Sequence, residues 1–223
     1  AQKIADDNDD IVCLFLDVDP YSSVYNVSFN PADGTRASVK YLYESGHREM
    51  AILAGPVSSV SANLRLRSWL DTLNSYGLKP VTVLHGNWDA QSGYACALQM
   101  LRETPDFSAV LVGNDQMALG VLSAFHQHQV AIPGEKSVIG YDDTYESSFF
   151  YPALTTVSLD LDLQGKEAVR RILESDDNAS SRTSSILPAR LVVRHSTGAK
   201  VEQGKDMQAI AEQLRAIAHQ LSR

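Results

Sequence analysis

The sequence predicts an α/β protein built on parallel β-sheets, and two features of its 223 residues lead to this prediction. Short apolar runs alternate with segments that have the periodicity of amphipathic helices, a pattern typical of βαβ units. Two of the helical segments also end at a glycine, Gly46 or Gly77, a residue at which helices commonly stop. Because the apolar runs are short and nearly continuous, we expect sheets that helices cover on both faces.

The predicted elements follow one another almost without interruption. The strand-like runs fall at 11–18, 49–55, 80–84, 109–113, 137–141, 154–159 and 187–194. The helical patterns fall between them, at 35–45, 60–76, 90–103, 116–129 and 163–175. This alternation extends to Ser196, beyond which the character of the sequence changes.

The composition is that of an ordinary globular protein, with 44% hydrophobic and 21% charged residues. A formal net charge of −8 argues against a surface that itself grips nucleic acid, because such surfaces need clustered Lys and Arg. The two cysteines, Cys13 and Cys96, have neither disulfide nor metal spacing and favour a cytoplasmic location. No apolar run has the length of a membrane span and the first residues do not resemble a secretory signal, so we expect no membrane partner.

Polar side chains collect where the predicted strands end. Ligands of open parallel sheets bind beyond the carboxyl ends of the strands, so these positions are candidates for a binding site. The residues found there are Asp17, Ser58, Ser61, Arg65, Trp88, Asn114, Asp115, Gln116, Asp142, Asp143, Asp160 and Asp162.

Taken singly, each of these residues has a structural interpretation that is favoured. Asp115 and Asp143 suit helix N-caps, and Asn114 suits a turn. Arg65 lies one turn after Ser61 near a helix start and could face solvent, although the helix dipole disfavours a cation there. Taken together, a planar arginine, an amide, several carboxylates and an indole at one rim are what binding of sugar hydroxyls and an apolar sugar face requires.

The sequence gives little support for catalysis. It contains no GxSxG, GxxxxGK[ST], HExxH or CxxC motif. A glycosidase-like acid and base among the carboxylates is an alternative, but Asn114 and Arg65 fit a site that only binds. We therefore expect a binding protein with no catalytic residues, no cofactor and no metal ion.

The end of the chain has a different pattern. Residues 197–205 are polar and contain glycine, and we interpret them as a linker. Five apolar residues in 206–223 then recur at steps of three, four, three and four: Met207, Ile210, Leu214, Ile217 and Leu221. This seam favours an oligomerisation helix, and the alternative is a single amphipathic helix packed on the body.

Several stretches resemble the LacI/GalR family of bacterial transcriptional repressors: FNPADGTRASVKYL, AILAGPVSSVSANLRLRSW, GNWDAQSGY, VGNDQMALG, VIGYDDT and YPALTTV. The resemblance extends from about Val12 to Ser196 and resumes in the tail. It implies a periplasmic-binding-protein-like fold, in which the chain crosses three times between two parallel-sheet subdomains with a cleft between them. The implied N-terminal subdomain comprises 1–29 and 161–188, with its first half missing, and the C-terminal subdomain comprises 30–160 and 189–196.

The resemblance also implies roles for individual residues. Five match positions that hydrogen-bond sugar hydroxyls in the family, and two match its apolar wall: Asp17, Ser61, Arg65, Asn114 and Asp142, then Phe29 and Trp88. The implied function is the inducer-binding and oligomerising part of a repressor. Its partners would be a galactoside-like sugar inducer, further copies of itself in a dimer or a tail-mediated tetramer, and operator DNA bound only through a headpiece that the sequence lacks.

One part of the implied site departs from the family pattern. Leu159 and Leu161 stand where the member of the family that the chain resembles has a glutamine and a phenylalanine near the inducer. Leu161 is therefore a candidate ligand contact whose change of shape leaves the exact sugar open. The alternative function is a periplasmic sugar-binding protein of a transport system, which has the same architecture.

Overall fold

The computed structural model describes residues 1–8, 11–174 and 184–200. Within them it forms two β-sheets, and the predicted α/β class with predominantly parallel strands is confirmed. The predicted seam from Met207 to Leu221, and the end of the predicted linker, lie outside the described residues. The residue boundaries of the two subdomains stay a prediction. In the part of the chain that is described, no helix is long and apolar enough to cross a membrane.

The larger subdomain is built on a six-stranded sheet with strand order β3-β2-β4-β5-β6-β8. The strands are β2 (Met50–Ala54), β3 (Val83–His85), β4 (Ala109–Val112), β5 (Ser137–Asp142), β6 (Thr155–Ser158) and β8 (Arg190–Val192). All neighbouring pairs are parallel except β6 and β8. The carboxyl ends of the five parallel strands therefore meet at one edge, as a ligand site on such a sheet requires.

Four helices cover the two faces of this sheet. They are α2 (Pro31–Glu44) and α3 (Val60–Ser75) on one face, with α4 (Ala90–Glu103) and α5 (Asp115–Gln127) on the other. Val39 and Trp69 represent the core under α2 and α3, whereas Met100 and Phe125 represent the core under α4 and α5, and all four are buried. Burial on both faces explains why β2 and β4 read as continuous apolar runs.

The smaller subdomain contains a parallel pair of strands, β1 (Val27–Phe29) and β7 (Ser185–Leu187). Helix α6 (Leu161–Leu173) packs on it, and the short α1 (Gln2–Asp6) lies at the start of the chain. Gln164 in α6 is buried and donates its amide to the carbonyl of Val27 over 2.9 Å. This bond fixes the helix that begins at Leu161 against the strand that ends at Phe29.

Two predicted strands differ from the structure. Within 11–18 only Phe15 makes a strand contact, a parallel bridge to Asn26. Among the described residues, the segment has no neighbouring strand with which it could form a longer ladder. The run 187–194 is divided between the two sheets, as the end of β7 and the whole of β8. Pro188 lies between these strands, and a proline has no N–H with which to continue a ladder. The proline thus marks the point at which the chain passes from one sheet to the other.

The start of the predicted linker is bound to the larger subdomain. The buried His47 lies at the edge of the sheet where the parallel strands begin, and its Nε2 donates to the carbonyl of Gly198 over 3.0 Å. Since Nε2 carries the proton, Nδ1 accepts from the hydroxyl of Ser108 over 3.0 Å. Burial lowers the pKa of His47, which favours this neutral form. Lys200, the last described residue, forms an ion pair with Glu49, so the chain is bound to the larger subdomain up to that position.

Helices α4 and α5 cross at two glycines. A Cβ on Gly120 would lie 1.9 Å from the carbonyl oxygen of Ala90, and one on Gly93 would lie 2.1 Å from the carbonyl oxygen of Met117. Both obstructing atoms belong to backbone, which cannot rotate away as a side chain can. The absence of a side chain at these positions therefore sets the distance between the two helices.

We predict that Gly120→Ala destabilises the protein by about 1–3 kcal/mol, because the added methyl group forces α4 away from α5. Urea unfolding measures the loss as a change in the free energy of unfolding. Gly165→Ala is the matched control: it is also a glycine within a helix, but no atom lies within 4 Å of its added Cβ. It should stabilise the protein by about 0.5–1 kcal/mol through helix propensity. Equal effects of the two substitutions would show that the helix crossing tolerates a side chain.

Candidate functional site

A cavity of about 380 Å³ lies between the two subdomains at the carboxyl ends of the parallel strands. It brings together all eight residues that the sequence predicted for the site: Asp17, Phe29, Ser61, Arg65, Trp88, Asn114, Asp142 and Leu161. The smaller subdomain contributes Phe29 on β1 and Leu161 at the start of α6, and the larger contributes residues from α3, β5 and the loops that follow β3 and β4. The cavity is therefore lined from both sides.

The guanidinium of Arg65 is held by contacts on three sides. Its Nη1 donates to the carbonyl of Gly113 over 2.6 Å, and its Nη2 lies 3.3 Å from a carboxylate oxygen of Asp142. The guanidinium carbon lies 3.9 Å from the centre of the Tyr141 ring, so a cation–π contact holds the group on a third side. Three contacts fix the plane of the guanidinium, and its remaining N–H groups are positioned to meet an acceptor in the cavity.

Asn114 has structural hydrogen bonds on both ends of its amide. Its oxygen accepts from the N–H of Met117 over 2.9 Å as the N-cap of α5, and its nitrogen donates to the carbonyl of Trp88 over 2.9 Å. The N-cap of α5 is therefore Asn114, which the sequence suggested only as a turn residue, and the expected cap Asp115 is instead the first residue of the helix. Asp143 is not a cap either, because Thr144 precedes the turn Tyr145–Phe149. The amide of Asn114 still lines the cavity, and each end has capacity for one more hydrogen bond.

Ser61 and Trp88 occupy the same side of the cavity. The hydroxyl of Ser61 lies 3.1 Å from that of Ser59, whose oxygen also accepts from Ala62 as the N-cap of α3. The indole of Trp88 lies over Gly55, where a Cβ would come within 2.2 Å of the ring. The Gly55-Pro56 turn of the sequence is therefore needed to let the indole reach the rim of the cavity.

Backbone strain concentrates at this rim. Asp17, Trp88, Asp142 and Asp143 all have positive φ values, of 53°, 71°, 111° and 56°, in a region that residues other than glycine rarely adopt. Three of these four residues are predicted site residues. Such conformations cost of order 1–3 kcal/mol each and cluster where function requires a side chain to be aimed in one direction.

The carboxyl group of Asp142 does not behave as an ordinary surface acid. Burial raises the pKa of Asp142 to about 6, with a further contribution from the negative charge of Asp17, while Arg65 acts in the opposite direction. Because Asp17 belongs to the smaller subdomain, its repulsion with Asp142 acts across the cavity. A ligand that donates hydroxyl protons to both carboxylates would relieve this repulsion.

Asp115 and Asp143 lie behind the cavity and not on its wall. Asp115 is fully buried and accepts from the N–H of Thr144 over 2.8 Å and from the hydroxyl of Thr156 over 2.5 Å. Burial raises the pKa of Asp115 to about 6. Asp143 forms an ion pair of 2.6 Å with Arg194. These two acids hold the loop that follows Asp142, the last residue of β5.

The sequence reasoning missed several residues of the cavity wall. The structure adds Val18, Pro20, Ser28, Pro31, Ser59, Leu64, Tyr141 and Gln164 to it, together with Leu159. Ser28 is buried, and its hydroxyl has no hydrogen-bond partner among the described residues. A serine inside an otherwise apolar strand was the signal that could have identified it. Histidine, cysteine and carboxylate side chains form no group of three that could hold a metal ion, within the described ranges.

Comparison with known proteins agrees with this geometry. Residues 39–197 match the family described as periplasmic binding protein-like domain. The chain is 45% identical to the lactose operon repressor of Klebsiella pneumoniae over 221 residues, which cover 99% of the chain and 62% of that protein. It is 39% identical to the lactose operon repressor of Escherichia coli over 213 residues, which cover 96% of the chain and 59% of that protein. The chain thus spans about three fifths of the length of these curated relatives.

A solved structure shows the same architecture. The lac repressor dimer, in a crystal structure with operator and the anti-inducer ONPF, superposes with a TM-score of 0.85 at 38% sequence identity. The match covers 89% of the chain and 69% of that structure's chain. The cleft between two subdomains, the family match and the similarity to both repressors lead to one assignment. The chain belongs to the periplasmic binding protein-like domain family and, within it, to the LacI/GalR repressors.

Proposed function

We propose that this chain is the inducer-binding and oligomerising portion of a lac-type transcriptional repressor. A galactoside-like sugar binds in the cavity, and operator DNA is bound through a headpiece that lies outside these 223 residues. The observation that carries the proposal is the fixed guanidinium of Arg65, paired with Asp142 on the larger subdomain and facing Asp17 on the smaller one. A rigid donor group beside two carboxylate acceptors matches adjacent sugar hydroxyls, which both donate and accept.

The apolar wall supports the same class of ligand. Phe29 and Trp88 place aromatic rings at the cavity beside the polar groups. Sugar rings have an apolar C–H face as well as polar edges, and an indole ring provides a matching apolar surface. Leu161, 62% exposed at the mouth of the cavity, is in position to contact a substituent on the sugar.

The position of the cavity provides the basis of a switch. The chain passes between the sheets at three places: from β1 to α2, from β6 to α6, and from β7 to β8. A ligand bound to both subdomains stabilises the arrangement in which their polar groups are at the correct separation. The free energy by which the ligand changes operator binding is limited by the difference between its binding free energies for the two arrangements.

Self-association belongs to the same proposal. Three aromatic side chains on and beside the 3₁₀ turn Tyr145–Phe149 are largely exposed: Tyr145, Phe149 and Tyr151, at 80%, 71% and 89%. Leu119 on α5 is a further exposed apolar residue of the larger subdomain. A cluster of large apolar side chains on a surface is typical of protein–protein contacts, and we assign it to a second copy of the chain.

The alternatives have less support. A transport protein and a glycosidase are both compatible with a sugar in the cavity, but the similar proteins named above are repressors. Among the carboxylates, Asp142 is paired with Arg65 and Asp143 with Arg194. These pairs orient side chains for binding, so we propose that the chain is not an enzyme.

Replacing Arg65 by leucine should weaken galactoside binding at least about tenfold, since each lost hydrogen bond to a charged group costs about 1.5–3 kcal/mol. Isothermal titration calorimetry measures the affinity, and circular dichroism verifies the fold. Arg102→Leu, at an exposed position on α4, is the control and should leave the affinity unchanged. A folded Arg65→Leu protein with undiminished affinity would remove the guanidinium from the binding site.

Affinity for a neutral galactoside should fall about tenfold between pH 7.5 and pH 5, because the acceptor Asp142, with a pKa of about 6, becomes protonated. Fold stability should change in the opposite direction. The folded pKa lies above the ordinary value of 3.8, so the contribution to stability is complete below that value and is lost as the pH rises through about 6. Titration calorimetry and urea unfolding at both pH values separate the two effects.

Two variants identify the titrating group in this experiment. Asp142→Asn should bind weakly with an affinity that no longer changes over this pH range. Asp115→Asn removes the carboxyl behind the cavity, whose pKa is also about 6, and should keep the pH dependence of binding. A pH dependence that disappears only in Asp115→Asn would contradict the assignment to Asp142.

Leu161→Phe should tighten binding of a small alkyl galactoside by about 0.5–1.5 kcal/mol, the contribution expected of a new aromatic contact. Free galactose has no substituent to meet the ring and should gain less. Leu173→Phe, at the other end of α6 and 80% exposed, is the matched control and should affect neither ligand. Equal gains for both ligands in Leu161→Phe would show that this side chain does not face the substituent.

A further inference from the structure

A second groove lies beside the cleft, between α2, α3 and the loop that contains Asp19 and Tyr21. Its volume is about 720 Å³, and apart from Pro31 and Leu64 none of its side chains lines the sugar cavity. Pro31 and Leu64 line both the groove and the sugar cavity. The groove therefore begins at the mouth of the cavity and leads away from it along the two helices.

Three cations face this groove from two helices. Arg36 and Lys40 lie four residues apart on α2, and thus on one face of it, whereas Arg67 lies on α3. Lys40 has a loose contact of 3.8 Å with the exposed Glu44. Throughout the described ranges, the side chains of Arg36 and Arg67 form no hydrogen bond and no ion pair. Two arginines on adjacent helices thus face one space without a counterion.

Among the three cations of the groove, the two arginines lie nearer to the sugar cavity than Lys40 does. Arg36 follows Pro31 by five residues and Arg67 follows Leu64 by three, which places them about 7.5 Å and 4.5 Å further along their helix axes. A single substituent on a sugar held in the cavity spans such distances. Lys40 lies a further turn away along α2.

Aromatic and acidic side chains also line the groove. Tyr21, 72% exposed, and Tyr76 present aromatic rings at its wall. Two carboxylates also line it: Asp19, which accepts a hydrogen bond from the N–H of Tyr21, and Asp71, one turn beyond Arg67 on α3. The three cations exceed the two carboxylates, in a chain whose net charge is −8. The groove is therefore a local positive region beside the cleft.

We propose that this groove binds an anionic group, a carboxylate or phosphate, that is covalently attached to the sugar in the cavity. Arginine is suited to this task because its planar fork of N–H donors matches the oxygens of both groups. The inference rests on the proposed function, since it assumes a sugar in the adjacent cavity. It adds a preference for acidic glycosides to that function.

Two aryl galactosides test the proposal: 4-carboxyphenyl β-galactoside and its neutral match, 4-carbamoylphenyl β-galactoside. Titration calorimetry at pH 7.5 and low salt should show that the carboxylate binds about threefold to tenfold more tightly, as expected for two partly exposed ion pairs. The preference should shrink as salt is added, because salt screens exposed charges. The double variant Arg36→Gln/Arg67→Gln should lose it and retain the affinity for the amide, whereas Arg102→Gln should change neither.

The outcomes separate this proposal from the proposed function. Equal affinities for the two galactosides, or a preference that survives in the double variant, would overturn the groove assignment while leaving the sugar site intact. If neither galactoside binds, the proposed function is wrong, and inorganic phosphate alone then tests the groove. If phosphate binds to the unmutated chain but not to the double variant, the groove is an anion site. If phosphate does not bind to the unmutated chain, the groove is not an anion site. Phosphate binding without a preference between the galactosides would assign the groove to a free anion and overturn the attached one.

Discussion

The guanidinium of Arg65 is the interaction on which the site depends. It joins three separate segments, because α3 carries it, the end of β4 supplies the carbonyl of Gly113, and the end of β5 supplies Tyr141 and Asp142. A cation this deeply placed is costly unless it is paired and hydrogen-bonded. The contacts that compensate the charge also fix the direction of its remaining donors, so stability and binding use the same group. This is why an arginine occurs near the start of a helix, where the helix dipole disfavours it.

The surroundings of Arg65 are arranged by residues without side chains and by strained backbone. Gly55 and Gly113 leave room for the indole of Trp88, and Gly140 allows the Asp115 carboxylate to approach to a distance that a Cβ would prevent. Asp17 and Asp142 reach the rim through positive φ values. Small residues and unfavourable dihedrals therefore occur where the sheet ends and the cavity begins, while the central strands β2 and β4 are apolar throughout. The packing free energy of the core thus offsets the unfavourable backbone conformations at the rim.

Most helices and strands of the larger subdomain and eight residues of the cavity wall were accessible from sequence, whereas α1, β1 and the hydrogen-bond assignments were not. Alternation of apolar runs locates the strand ends, and strand ends of a parallel sheet converge, so Arg65, Trp88 and Asp142 could be grouped without coordinates. Asn114 shows the limit, because its amide both caps α5 and faces the cavity. The segment 11–18 was misassigned because a buried strand needs neighbours, which periodicity within one segment does not reveal. The division at Pro188 depended on which sheet each half joins, and that is a property of tertiary packing.

The bonds of His47 have a mechanical consequence for the whole chain. His47, Ser108 and Ser137 hold Gly198 at the amino ends of the parallel strands, and the cavity opens at their carboxyl ends. A rotation of the smaller subdomain about the cavity therefore leaves this attachment point stationary in the frame of the larger subdomain. Lys200 is thus fixed to the larger subdomain at the end of the sheet opposite the cavity. A contact that the larger subdomain makes at the amino ends of its strands would therefore keep its geometry when the separation of the two walls of the cavity changes.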